Sequence, residues 1–103
     1  MLDYNQKYLD KIKKIIFSII DTKEYKVFLF GSRATKQFNR YSDVDIGLLG
    51  NKPIGKAYYK IINKIEESDI PYKVDIVDFA LVDEQFKKIA LQEIEIWNDP
   101  KYS

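Results

Sequence analysis

The sequence predicts a small α+β, α/β-like domain in which helices pack against one β-sheet. Two observations carry this: amphipathic runs with three- and four-residue spacing alternate with short apolar runs, and the 103 residues suffice for one core but leave no room for a second domain. The expected unit is therefore a single domain over residues 1–103.

The elements follow in order. From Asp3 to Asp21, Leu9, Ile12, Ile15, Ile16, Ile19 and Ile20 form one apolar stripe with lysines between them, which predicts a scaffold helix. Tyr25 to Phe30 is aromatic and β-branched and stops at Gly31, the pattern of a largely buried strand. Ser32 to Tyr41 is polar and irregular, with room for one helical turn. Asp43 to Leu49 reads as a second strand, ended by Gly50 and Asn51.

Pro53 suits the first turn of a helix whose face is Ile54, Tyr58, Ile61, Ile62 and Ile65, broken by Ser68 to Pro71. Tyr72 to Phe79 is the third strand. Asp83 can cap a last helix presenting Phe86, Ile89, Ala90 and Ile94, with Ile96 and Trp97 beyond its regular part as a partner anchor or a core closure. The eight tyrosines read as amphipathic cover for a small core.

Composition narrows the chemistry. The chain holds no cysteine and no histidine, so its own residues cannot form a Ser-His-Asp or Cys-His nucleophile, a disulfide or a Cys/His zinc site. Carboxylates, hydroxyls, Lys, Arg and hard cations on oxygen remain. A net charge of +1 gives no broad attraction to polyanions, and no apolar run approaches the roughly 20 residues of a membrane span. The expectation is a cytoplasmic protein.

One constellation carries chemistry. Asp43 and Asp45 lie two apart in a strand, so their side chains share a face roughly 6.5 Å apart along the backbone. Beside Val44 and Ile46, two uncompensated charges are costly, and bound Mg²⁺ would neutralise them. Asp75 has the same setting between Val74 and Ile76. If the two strands are neighbours, three carboxylates converge at one sheet edge, which suits two cations about 3.5 to 4 Å apart. Taken alone, an acidic pair at a strand end more often reflects solvent exposure or an ion pair with lysine.

Gly31 and Ser32 follow the first strand directly, where a glycine lets backbone N–H groups approach a phosphate and the serine adds a hydroxyl. The only two arginines, Arg33 and Arg40, fall between Ser32 and Asp43, and Arg33 is the better candidate for phosphate. Arg40 reads as an exposed loop residue, and Ser42 as a strand-start residue or a hydrogen-bond partner of Asp43. Asp78 falls on the face opposite Asp75, as a strand-end or capping residue.

Gly31-Ser32, ten residues, Asp43-Val44-Asp45 and then Val74-Asp75-Ile76 resemble the signature of the minimal nucleotidyltransferases (MNT) of the DNA polymerase beta superfamily, often paired with HEPN toxins. The resemblance spans the whole chain in size and element order. It implies a small mixed sheet packed by helices, with Gly31, Ser32 and Arg33 at the nucleotide, Asp43 and Asp45 on two Mg²⁺ ions, and Asp75 completing the catalytic metal site and activating the acceptor hydroxyl. The implied reaction moves AMP from ATP to a hydroxyl and releases pyrophosphate. Gly31-Ser32-Arg33-Ala34-Thr35-Lys36 departs from the family's GSRARG by lacking the second glycine.

The expectation is that no added helical domain holds the acceptor, which must then come from elsewhere. The resemblance implies that a HEPN toxin partner supplies a tyrosine acceptor, making this protein an antitoxin. The alternatives are a binding module that neutralises by occlusion, and a small-molecule, aminoglycoside-type nucleotidyltransferase subunit. Without histidine, Asp75 is the best-placed base, and oxygen-ligated Mg²⁺ is the expected cofactor.

Overall fold

The computed structural model describes residues 4–35 and 43–98. In chain order it contains α1 (Tyr4–Ile19), β1 (Lys26–Phe30), a single 3₁₀ turn (Gly31–Arg33), β2 (Val44–Leu49), α2 (Ala57–Glu66), β3 (Val74–Asp78), α3 (Glu84–Ala90) and β4 (Glu95–Asn98). The four strands form one mixed sheet in the order β3-β2-β1-β4. β1 and β2 are antiparallel, whereas α2 carries the chain from β2 to a parallel β3.

Strand alternation divides the sheet into two faces. Val27, Leu29, Val44, Ile46, Leu48 and Ile76 turn toward α1 and α2, where they bury Ile12, Ile16, Ile61 and Ile65 in an aliphatic core. The apolar stripe read along residues 9–20 is thus the stripe that packs. Phe28 and Phe30 point the other way and meet Phe79 edge-on, at 4.9 and 5.3 Å between ring centroids, respectively. Gly47 makes room for this cluster, since a Cβ there would collide with the Phe28 and Phe79 rings.

Three expectations are corrected. Pro53 does not lie in the first turn of α2, because Gly55 adopts a left-handed φ of 63° and separates it from the helix. Ile54 nevertheless stays buried, its N–H donating to Asp78 Oδ2 at 2.9 Å. Asp78 Oδ1 also accepts from Ala80 N at 3.1 Å, so Asp78 caps the strand end as expected.

The last helix is shorter than its pattern. Asp83 caps it, accepting from Phe86 N at 2.8 Å, but α3 ends at Ala90 and Ile94 packs on the aromatic cluster from outside it. Ile96 and Trp97 belong to β4, which no strand expectation included and which pairs antiparallel with β1. Pairing is irregular between Val27 and Phe28, and the Asn98 side chain bridges the gap: Oδ1 accepts from Val27 N at 3.0 Å, and Nδ2 donates to Thr22 O at 2.9 Å and Tyr25 O at 3.1 Å. Trp97 closes the core beside α1, with Lys13 Nζ 5.2 Å from its ring centroid.

Candidate active site

The site lies where β1 ends and β2 and β3 begin, on the aromatic face. Parallel pairing sets Asp45 opposite Asp75, and antiparallel pairing sets Asp45 opposite Phe30. Because the register is in phase, both carboxyl groups leave the sheet on one side as neighbours, so that a proton on one is favoured by the other. Gly31 follows β1 with a φ of 74°, and a Cβ on it would strike Asp45 Oδ2. Only glycine allows the turn to lie this close to the carboxylate.

Burial raises the pKa of Asp45, and the neighbouring charges of Asp75 and Asp43 and the bond to Asp75 push it the same way, with Lys73 opposing. Asp43 is exposed and lies one residue before the β2 ladder. The expected convergence is therefore partial. Asp45 and Asp75 are paired neighbours, Asp43 acts on Asp45 through its charge, and among the described residues no group of three or more carboxylates stands close enough to hold one ion. The donor set fits a hard divalent cation. Two contacting carboxylates, one half-buried and repelled by both neighbours, are the arrangement that a cation on oxygen ligands relieves.

Ser32 is exposed on the turn, and its carbonyl accepts from Thr35 Oγ1 at 3.0 Å. Arg33, expected at the phosphates, is 1% exposed. Its guanidinium lies over the Tyr72 ring, 4.5 Å from the centroid, and Nε donates to Asp43 O at 3.3 Å. Arg40 and Ser42 lie outside the described residues. Sequence reasoning missed Tyr72 and Lys73, one as a stacking surface for Arg33 and the other as the cation opposing the rise at Asp45. The legible signal was their position three and two residues, respectively, before Asp75.

A carboxylate pair on adjacent parallel strands, beside a glycine turn, suits a protein that transfers phosphoryl groups on bound cations. The chain belongs to the nucleotidyltransferase domain family, whose model matches residues 9–98. It is 32% identical over 89 residues, 85% of this chain and 76% of the relative, to a protein of Haemophilus influenzae named "Probable protein adenylyltransferase MntA". Two solved structures share the fold. One is a toxin-antitoxin with AMP-PNP, with a TM-score of 0.71, 24% identity, and 90% of this chain and 75% of that one covered. The other is a tri-AMPylated HEPN toxin of Shewanella oneidensis in complex with an MNT antitoxin, with a TM-score of 0.68, 22% identity, and 94% and 75% covered. The resemblance seen in the motifs is a family relationship, and the chain is a nucleotidyltransferase.

Proposed function

We propose that this nucleotidyltransferase moves AMP from ATP to a tyrosine hydroxyl of a HEPN toxin and so acts as an antitoxin. The observation that carries the reading is the in-register pairing of Asp45 with Asp75 beside Gly31. The named activity of the Haemophilus relative and the AMPylated toxin held by the Shewanella antitoxin support the choice of group and acceptor. Among the described residues, no helix is long and apolar enough to cross a membrane.

In the reaction, the acceptor oxygen attacks the α-phosphorus of ATP, the bond from that phosphorus to the bridging oxygen breaks, and pyrophosphate leaves. Asp75 takes the hydroxyl proton. Gly31 and Ser32 lie against the triphosphate, with Arg33 behind the turn. Asp43, Asp45 and Asp75 would hold two Mg²⁺ ions. Bound there, Mg²⁺ supplies charge neutralisation for the triphosphate and the group in transfer. The raised pKa of Asp45 describes the metal-free site, in which burial and the neighbouring charges of Asp75 and Asp43 oppose its ionisation.

The test is an intact-mass measurement on a co-expressed HEPN partner after incubation with Mg-ATP. The expected product carries one or more AMP adducts, and Asp45→Asn lowers their rate by about 100-fold or more. Absence of any adduct with all four nucleotides would remove the AMP-transfer reading. Full neutralisation by Asp45→Asn without transfer would make the protein an occluding antitoxin.

A further inference from the structure

We infer that Arg33 is a positioning residue for Asp43, clamping the peptide that carries this carboxylate to the start of β3. The inference rests on the reading of Asp43, Asp45 and Asp75 as the cation-holding set. Asp43 precedes the first residue of β2, so the ladder alone does not order it. Its peptide to Val44 is nonetheless held at both polar ends. The carbonyl of Asp43 accepts from Arg33 Nε at 3.3 Å, and Val44 N donates to Lys73 O at 2.9 Å. Tyr72, the residue before Lys73, places its ring 4.5 Å from Arg33 Cζ.

The contacts close into a ring: Arg33 to Asp43, Val44 to Lys73, and Tyr72 back to Arg33. That ring joins the three segments that build the site, namely the turn after β1, the start of β2 and the approach to β3. Fixing the peptide plane at both ends fixes the direction in which the Asp43 side chain leaves the backbone, as outer hydrogen bonds do for ligands in general.

The ring also accounts for an arginine at this position in a chain whose other basic residues are nearly all lysines. A guanidinium is planar, so one group stacks its face on an aromatic ring while its in-plane N–H donates to a carbonyl. A lysine ammonium is a point charge on a flexible stem and cannot hold both contacts in that geometry. At 1% exposure the side chain is also withdrawn from solvent and from open approach by a phosphate. A cation buried this deeply is retained only where it is well engaged.

The experiment compares Arg33→Lys, Tyr72→Leu and Tyr72→Phe with the wild-type chain, using Mn²⁺ with AMP-PNP as the probe. Melting midpoints and amide exchange at Val44 are recorded in parallel. Arg33→Lys and Tyr72→Leu are expected to weaken Mn²⁺ binding about 10- to 100-fold while the fold persists, and to speed Val44 exchange. Tyr72→Phe keeps the ring on which Arg33 stacks and should retain more Mn²⁺ affinity than Tyr72→Leu. Where Asp45→Asn has lost Mn²⁺ binding, a folded Arg33→Lys or Tyr72→Leu protein with wild-type Mn²⁺ affinity overturns the proposal, whatever its exchange rate. Asp45→Asn is the control: if it too binds Mn²⁺ like wild type, the cation-site reading has failed instead, and Val44 exchange then decides whether the clamp exists.

Discussion

The two faces of β2 are built from alternate residues of one six-residue strand, yet they do opposite things. Val44, Ile46 and Leu48 are fully buried under α1 and α2, where each removes apolar surface from water. Asp45 and Gly47 face the other way. One is a half-buried carboxylate held against another, and the other is a gap that aromatic rings fill. The cover differs too: the helix pair seals the first face, whereas α3 contributes no buried residue and leaves Phe86 and Ile89 42% and 61% exposed. The second face is buried only around Phe28, Phe30 and Phe79, which leaves its strand ends for a charged site that would weaken a sealed core.

Three substitutions along β2 test this division, in falling order of effect on stability. Ile46→Ala removes a fully buried side chain and should lower unfolding free energy by about 2–5 kcal/mol in urea denaturation. A loss well below that range would mean that the helix-covered face is not the stabilising one. Gly47→Ala drives a methyl into the Phe28 and Phe79 rings and should destabilise by about 1–3 kcal/mol, read by the same denaturation. A neutral result would show that the aromatic cluster yields easily.

Asp45→Asn has the smallest effect and the opposite sign. Because Asp45 has a raised pKa in the folded chain, the native state binds its proton more tightly than the unfolded state does. Its contribution is full below the unfolded carboxylate pKa and is lost as pH rises through the folded one. The metal-free protein should therefore melt at a higher temperature at mildly acidic pH than at neutral pH as far as this group decides. Asn, which stays uncharged, should raise the neutral-pH melting temperature and flatten that pH dependence. A fall in melting temperature on Asp45→Asn would mean that the ionised carboxylate stabilises the fold, and the contrast between the faces would collapse.

The site residues were legible because strand alternation and glycine chemistry are local. Two aspartates two apart in an apolar strand must share a face, and a glycine ending a strand marks a close approach. Arg33 was singled out correctly as an unusual residue, but its burial was not legible, because the Tyr72 ring that covers it lies 39 positions away in the chain. β4 was missed for a related reason. Its four residues alternate too briefly to show a period, and its pairing with β1 leans on the Asn98 side chain, a contact no propensity encodes.

By itself, then, the sequence determined the helical stripes, three of the four strands, the oxygen-only chemistry that follows from lacking histidine and cysteine, and the residues that carry the family signature. Tertiary structure alone decided which strands are neighbours, that Asp45 meets Asp75 in register while Asp43 stands outside the ladder, and that Arg33 turns inward. Periodicity is a property of neighbouring residues along the chain, whereas register, burial and the raised pKa of Asp45 arise only when distant segments exclude water from one another.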